Sequence, residues 1–543
     1  VSPKLSNRPP KHANANFWRT EKAMLWTITK KQLLVNLLSY RFVVGFVLCQ
    51  VLFVLATVIL VRDYEERVKA HGEAVSRESK KLDEVKVYSD LARGMSVYKP
   101  PARLSPICMG FDKTFGNQAA FAYSRAPELE VGRQEKNALL VALRSLDLVT
   151  VIQLVLGLLV LLFAHDAVSG ERERGTLALS MSGPLPRHIF LLGQYLGGML
   201  TISAVFLVGI FFALLVMIRS ASVQLGGSDW LRLGLIILVS LVYLSALYLL
   251  GVVTSILSKR SATALVILLF FWIVFIVIFP NLTSAVASKI KPVPARGLVA
   301  QQTANLRREF WTGIDQNARK TLPRPAHKWE FIAGRYVYGG DLPYPIRLGY
   351  APREIMEWEL EGLQRFLPLE IEYANRMHEV QAGYERQLHE QAATARFLAR
   401  ISPAWSYFNA VSGLAGTDAE AYTTFLAKAR NYRLQVLNYL SSKDGLVSYR
   451  YFTRLEPSRF RTTAELELLQ KQGDRLKQEM GKDWDSVPPL DLRDLPTFDH
   501  APAPVATAVA GVLPDVVLLV FLNLALFLAA HVCFLRTDVR AGG

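Results

Sequence analysis

Only three cysteines occur in 543 residues, Cys49, Cys108 and Cys533. Two of them lie in apolar runs, which leaves Cys108 alone in its polar segment and excludes a disulfide framework. The phosphate-binding pattern G-x-x-x-x-G-K-[ST] is missing, and no G-x-G-x-x-G follows a predicted strand. The chain therefore does not hold ATP by either glycine-rich cradle. H-E-x-x-H, C-x-x-C and G-x-S-x-G are missing too, so the zinc and serine-nucleophile signatures give no enzyme. His378 and His389 share a predicted helix face, but eleven residues of helix put them roughly 16 Å apart, too far for one ion. His71, His327 and His500 are isolated. The carboxylates Glu354, Glu357, Glu359, Glu361, Glu370 and Glu372 mostly alternate with arginines, as on a solvated or salt-bridged helix face.

What is present is apolar length. Hydrophobic residues make up 51% of the chain, mean hydropathy is +0.23 and the formal net charge is +16. That balance excludes disorder and points to an integral membrane protein with sizeable polar parts. Six segments reach or approach the about 20 apolar residues that cross a bilayer: 42–61, 148–164, 189–218, 233–258, 261–280 and 516–535. The second is short and borrows from its flanks; the third is too long for one straight crossing and should tilt, break or start in the interface. The first run begins too late and is too long for a cleavable signal, so it reads as a permanent anchor.

Acid is scarce in 1–41: Lys4, Arg8, Lys11, Arg19, Lys22, Lys30, Lys31 and Arg41 stand against Glu21 alone. The charges stop where the first span starts, which fits a cytoplasmic flank and not a nucleic acid site. With that end inside, the inner segments are 165–188, 259–260 and 536–543, all basic. The outer segments are 219–232, 62–147 and 281–512. Residues 17–40 alternate Trp18, Leu25, Trp26, Ile28, Leu33, Leu34, Leu37 and Leu38 with Arg19, Lys22, Lys30 and Lys31, the pattern of an interfacial amphipathic helix. The outer segments read as mainly helical: 62–93 prolongs the first span outward, and 298–320, 353–400 and 419–442 have helical spacing, with Pro368 kinking or dividing the second of these. Tyr98 to Asn117 is dense in Pro and Gly and reads as a structured loop.

Between two uncharged spans lies the knot HDAVSGERERGTLALSMSGPLPRHIFLL, residues 165–192. Ser169-Gly170 signals a turn, Glu171–Arg174 can open a short helix whose N-terminus favours Glu171 and Glu173, and Gly183-Pro-Leu-Pro186 turns the chain back. A rigid polar element on so short a tether passes force applied from below to both adjoining spans.

The run Phe163-Ala-His-Asp166-Ala-Val-Ser169-Gly170-Glu171-Arg-Glu-Arg-Gly175-Thr176-Leu177, followed by Pro186-Arg187 and Leu192-Gly193-Gln194-Tyr195-Leu196-Gly197, resembles the coupling-loop signature of ABC-2 type permeases. More narrowly it resembles the branch grouped with permeases for multi-copper enzyme maturation and gliding motility. Tyr98-Lys-Pro-Pro-Ala-Arg-Leu-Ser-Pro, Ser258-Lys-Arg-Ser-Ala-Thr-Ala-Leu265, and Ser402-Pro-Ala-Trp with Leu414-Ala-Gly-Thr417 agree with it. The resemblance implies a mainly α membrane protein with six transmembrane helices in the ABC-2, type V exporter-like arrangement. An N-terminal amphipathic elbow helix and two mostly helical extracytoplasmic insertions complete it. It further implies location in the bacterial inner membrane with both termini cytoplasmic, a second permease subunit, identical or homologous, and a cytoplasmic ABC ATPase dimer carrying ATP and Mg. No cofactor falls to this chain itself. Asp166, Ser169, Gly170, Glu171, Arg172, Glu173, Arg174, Gly175 and Thr176 are then the ATPase-coupling residues, and the outer segments form a stalk or cap open to a periplasmic partner or cargo. The copper association does not carry over, because the outer segments hold no Met, Cys or His cluster to offer soft ligands. A mechanotransmitter that moves a periplasmic partner without transport is the alternative.

Overall fold

The computed structural model describes residues 11–112, 116–130, 147–183, 185–321, 347, 351, 353–462, 464, 465, 468 and 485–537. Helix α1 (Lys11–Leu37) leads into α2 (Tyr40–Asp83). Then come α3 (Tyr88–Ala92) and the strands β1 (Met95–Tyr98), β2 (Gln118–Ala122) and β3 (Arg125–Glu130). Next are α4 (Leu148–Val151), a π-helical turn at Ile152–Leu156, α5 (Gly157–Ala164), and the short helices α6 (Ser169–Glu173) and α7 (Thr176–Met181). The helices α8 (Arg187–Arg219), α9 (Gly227–Leu257) and α10 (Ser261–Trp272), a second π turn at Ile273–Ile278, and α11 (Phe279–Ile290) follow. The chain continues through α12 (Arg296–Thr321), α13 (Arg353–Ala399), α14 (Pro403–Ala415) and α15 (Ala419–Ser442) to α16 (Val505–Arg536).

Among the described residues six helices are long and apolar enough to cross a membrane. They share one core, which runs from Cys49 and Phe53 in α2 to Phe534 in α16. Small residues set the spacing of its helices, as expected where lipid removes any hydrophobic drive between them. A Cβ on Gly251 of α9 would lie 2.3 Å from that of Ala164 in α5, and one on Gly209 of α8 would lie 2.9 Å from the Phe53 ring. The third span is neither broken nor divided: α8 is one helix of 33 residues. Hydroxyls and amides stitch the bundle further. Tyr195 Oη and Ser245 Oγ are 2.7 Å apart, and Ser245 Oγ donates to Asn523 Oδ1 at 2.6 Å, joining α8, α9 and α16.

Helix α1 lies along the loop end of α8 with an inverted distribution of polarity. Thr29, Gln32 and Asn36 are buried against α8, while Trp26, Leu34, Val35 and Leu38 are exposed. Gly193 and Gly197 admit it, since a Cβ at either would meet Ile28 or Gln32 under 3 Å. Asn36 Nδ2 donates to Thr201 Oγ1 at 3.2 Å. Ser39 then caps α2, its hydroxyl accepting from Phe42 N at 3.2 Å.

A second core fills the domain at the other end of the bundle, around Phe121, Met356, Phe425, Tyr432 and Phe452. Its sheet is antiparallel in the order β1-β2-β3, with Met95 opposite Phe121 and Gln118 opposite Glu130. This sheet interrupts a region expected to be mainly helical. Short strands flanked by Pro- and Gly-rich turns leave no long periodic run for a sequence reading to catch. Pro368 does not divide α13, which continues through it for 47 residues. Phe366, Leu367 and Glu370 are buried around the proline, and that packing offsets the lost backbone bond.

Two devices join the cores. The first is a buried ionic collar on α2. Arg67 pairs with Asp63 at 3.0 Å and with Asp112 at 2.7 Å, Lys99 approaches Asp112 at 3.2 Å, and Tyr422 donates to the same carboxylate. Burial pushes the Asp112 carboxyl up, but Lys99, Arg67 and the Tyr422 hydrogen bond outweigh it and hold the group below its ordinary value. The second is α14, an apolar helix of 13 residues set between polar stretches. It enters the bundle core through Ala404, Tyr407, Ala410, Val411 and Leu414, with Tyr407 stacked on Tyr243 at 4.6 Å. Both π turns face its N-terminus: Gln153 Nε2 donates to Ala404 O and Ser402 Oγ to Phe275 O, each at 2.6 Å. Wide turns of this kind free backbone groups inside a helix, and here the second has its Phe275 carbonyl satisfied from α14.

Candidate functional site

The polar knot folds as two short helices hinged at Gly175. That residue sits at φ +72° and ψ 0°, a left-handed conformation that disfavours any side chain with a Cβ. Close approach also fixes Gly170, where a Cβ would lie 3.1 Å from Asp166 Cβ and 3.7 Å from Ser261 Oγ. Ser169 ties the first helix to α9: its backbone N–H and that of Val168 both donate to Ser255 Oγ, at 3.0 and 3.1 Å.

The charged residues then divide by direction. Asp166 faces the foot of α2, accepting from Arg41 at 3.1 Å. Glu171 is buried beneath the loop, where Lys31 of α1 reaches it at 2.8 Å and Gln194 of α8 at 3.4 Å. Arg172 turns inward to close the open end of α9, donating to Ser258 O at 3.0 Å and Ile256 O at 3.2 Å. Glu173 lies at the surface and caps α10, accepting from Ser261 N at 3.0 Å and Ser261 Oγ at 2.7 Å. Arg187, at the start of α8, donates to Phe534 O, Leu535 O and Thr537 O at the end of α16. Charges on orphan carbonyls and amides at helix ends are favourable there because those groups lack intrahelical partners.

The structure thus brings all the expected residues from Asp166 to Thr176 together but gives them different places. Asp166, Ser169, Gly170, Glu171 and Arg172 form the underside; Glu173 is at the surface with both oxygens engaged; Arg174 and Gly175 are exposed; Thr176 is half-buried, its hydroxyl donating to Glu171 O at 3.1 Å. The free face continues past them into α7, where Leu177 is buried but Leu179 is 76% exposed. Lys259 and Arg260 are exposed beyond the neighbouring turn. The residues whose part a sequence reading does not assign are the receivers, Lys31, Arg41, Gln194, Ser255 and Ser261. Lys31 and Arg41 are already accounted for as flanking charge, Gln194 and Ser261 stand in stretches of the resemblance without a role, and Ser255 lies in an apolar run with nothing to mark it.

A bundle of six apolar helices, with a polar loop bonded to the ends of most of them, defines a multi-pass membrane protein. Residues 26–539 match the family described as ABC-2 family transporter protein, and the chain belongs to it. It is accordingly a permease of an ABC transporter, a family that implies association with an ABC ATPase. No curated protein matches the chain.

Proposed function

We propose that the chain couples ATP hydrolysis on a separate, Mg- and ATP-bearing ATPase dimer to extrusion of a substrate through the bacterial inner membrane. Both termini and the 165–188 loop lie on the cytoplasmic side, the domain built on 62–147 and 281–512 lies outside, and a second permease subunit completes the assembly. The observation that supports this reading is the loop itself, whose underside is bonded to α1, α2, α8, α9 and, through Ser169 and Ser261, α10. A push on its free face is shared among those helices at once. The docking surface is Arg174 with the exposed apolar Leu179, and it lies a little further along the chain than Glu171–Arg174.

The test is co-purification of an ABC ATPase with the tagged full-length chain. The double variant R174E/L179D should lose the ATPase with little change in unfolding temperature, because both side chains are exposed. Undiminished association in that variant would overturn the docking surface. A second reading, movement of an outer partner without transport, draws support from the passage of α2 through both cores. Substrate-dependent efflux from proteoliposomes holding the purified complex separates the two.

A further inference from the structure

A cavity of about 880 Å³ opens in the outer domain between the far half of α2, strand β1 and the extended segment 489–500. Its body is apolar, formed by Val75, Leu82, Val97, Leu492, Leu495 and Phe498. That volume and lining match sites that enclose small molecules, in which a few polar groups fix orientation.

The polar groups on its wall are of one sign after internal pairing is removed. Of the four carboxylates there, Asp491 is held by Arg493 at 2.6 Å. Glu78 accepts from Ser96 N at 2.9 Å and pairs with Lys81 at 3.4 Å. Asp83 and Asp499 line the cavity, are exposed, and have no ion-pair partner among the described residues. Among the described residues on the wall Arg493 is the only Lys or Arg, and it is spent on Asp491. His71 and His500 also line the space; burial pulls the His71 imidazole below its ordinary value, and His500 has Nδ1 buried and, among the described residues, without a hydrogen-bond partner. Burial, with Lys428 and Lys99 nearby, pulls the His500 imidazole down to about 4, so it is neutral at pH 7 and adds no positive charge.

We infer that this cavity is a binding site for a cationic amphiphile, an organic molecule with an apolar body and a positive group directed to Asp83 and Asp499. A neutral hydrophobe would leave both carboxylates uncompensated, and an anion would be repelled by them. The site sits where α2 and the approach to α16 face each other, so an occupant touches the outward continuations of the first and last spans together. Binding here is independent of where the ATPase docks, since the two surfaces lie at opposite ends of the bundle.

The experiment uses the full-length chain in phosphatidylcholine nanodiscs, with fluorescence polarisation of rhodamine 6G as the cationic probe and fluorescein as an anionic one. Saturable rhodamine binding above that of empty discs is expected, with fluorescein no better than empty discs. Val75 is 43% exposed on the cavity wall, so V75W fills the space without disturbing a core and should abolish the saturable phase. D83N/D499N, both at exposed positions, should weaken binding by about tenfold, the sum of two partly screened ion pairs. Absence of a saturable phase, equal binding of fluorescein, or wild-type affinity in D83N/D499N would overturn the proposal. So would wild-type affinity in V75W, with thermal unfolding confirming that the variant is folded.

Discussion

Gly198 shows how little room separates α8 from α9: a Cβ built on it would lie 2.1 Å from Cζ of Tyr248. Tyr248 has nowhere to retreat, because it is fully buried and its hydroxyl donates to Gln194 O at 3.2 Å. G198A should therefore destabilise the fold by about 1–3 kcal/mol through overpacking, read as a lower thermal-unfolding midpoint in detergent. Adding Y248A should restore part of the loss relative to Y248A alone; strict additivity of the two changes would show that the clash is relieved elsewhere. The same scale explains why the loop was only half legible in the sequence. Glu171 and Glu173 are two residues apart in one run of alternating charge, yet one is buried on Lys31 and the other caps α10 at the surface. A helical turn places positions two apart on different faces, and which face meets the bundle depends on α1 and α9, far away in sequence.

Just past the end of α13, an ion pair joins the domain that holds the sheet to the last span. Arg400 Nε and Nη2 donate to the two Asp515 oxygens at 2.9 and 3.1 Å, with Asp515 buried and Arg400 about a third exposed. Removing one partner of such a pair strands a buried charge, whereas removing both does not. R400M should lower stability by about 3 kcal/mol, and R400M/D515L should recover most of it, measured by thermal unfolding of the two variants side by side. Equal losses in single and double variants would refute the pairing argument. Elements such as the six spans and the outward run of α2 were legible because long apolar or breaker-free periods are strong signals. Helix α14 was not, although its Ser402-Pro-Ala-Trp start stood out. A helix of thirteen residues, Ser406, Asn409 and Ser412 among them, is too short for a crossing, and only the π turns at Ile152–Leu156 and Ile273–Ile278 reveal what it docks against.

For the molecule as a whole, acid should weaken the domain around the sheet before the bundle. His500 titrates lower when folded than its ordinary 6.5, so the unfolded chain takes up its proton first and stability declines as pH falls from about 6.5 toward 4. Asp112 is also held below its ordinary 3.8, so its contribution is complete above that pH and is lost as pH drops further. Denaturant midpoints followed across pH 7 to 3 should show both limbs, with H500F reducing only the upper one, to which His71 and His378, also held below their ordinary value by burial, contribute the rest; a pH-independent midpoint would contradict both assignments. Helix α2 sets the mechanical scale on which all of this operates. Its 44 residues form one uninterrupted rod, about 66 Å from foot to tip, and Asp166 grips Arg41 next to the foot while Glu78 holds β1 near the tip. A tilt of roughly five degrees about the foot sweeps the tip through an arc of about 6 Å at that length. A nudge too small to open a path among tightly packed spans is thus wide enough, at the far end, to open or shut a cleft the size of a small molecule.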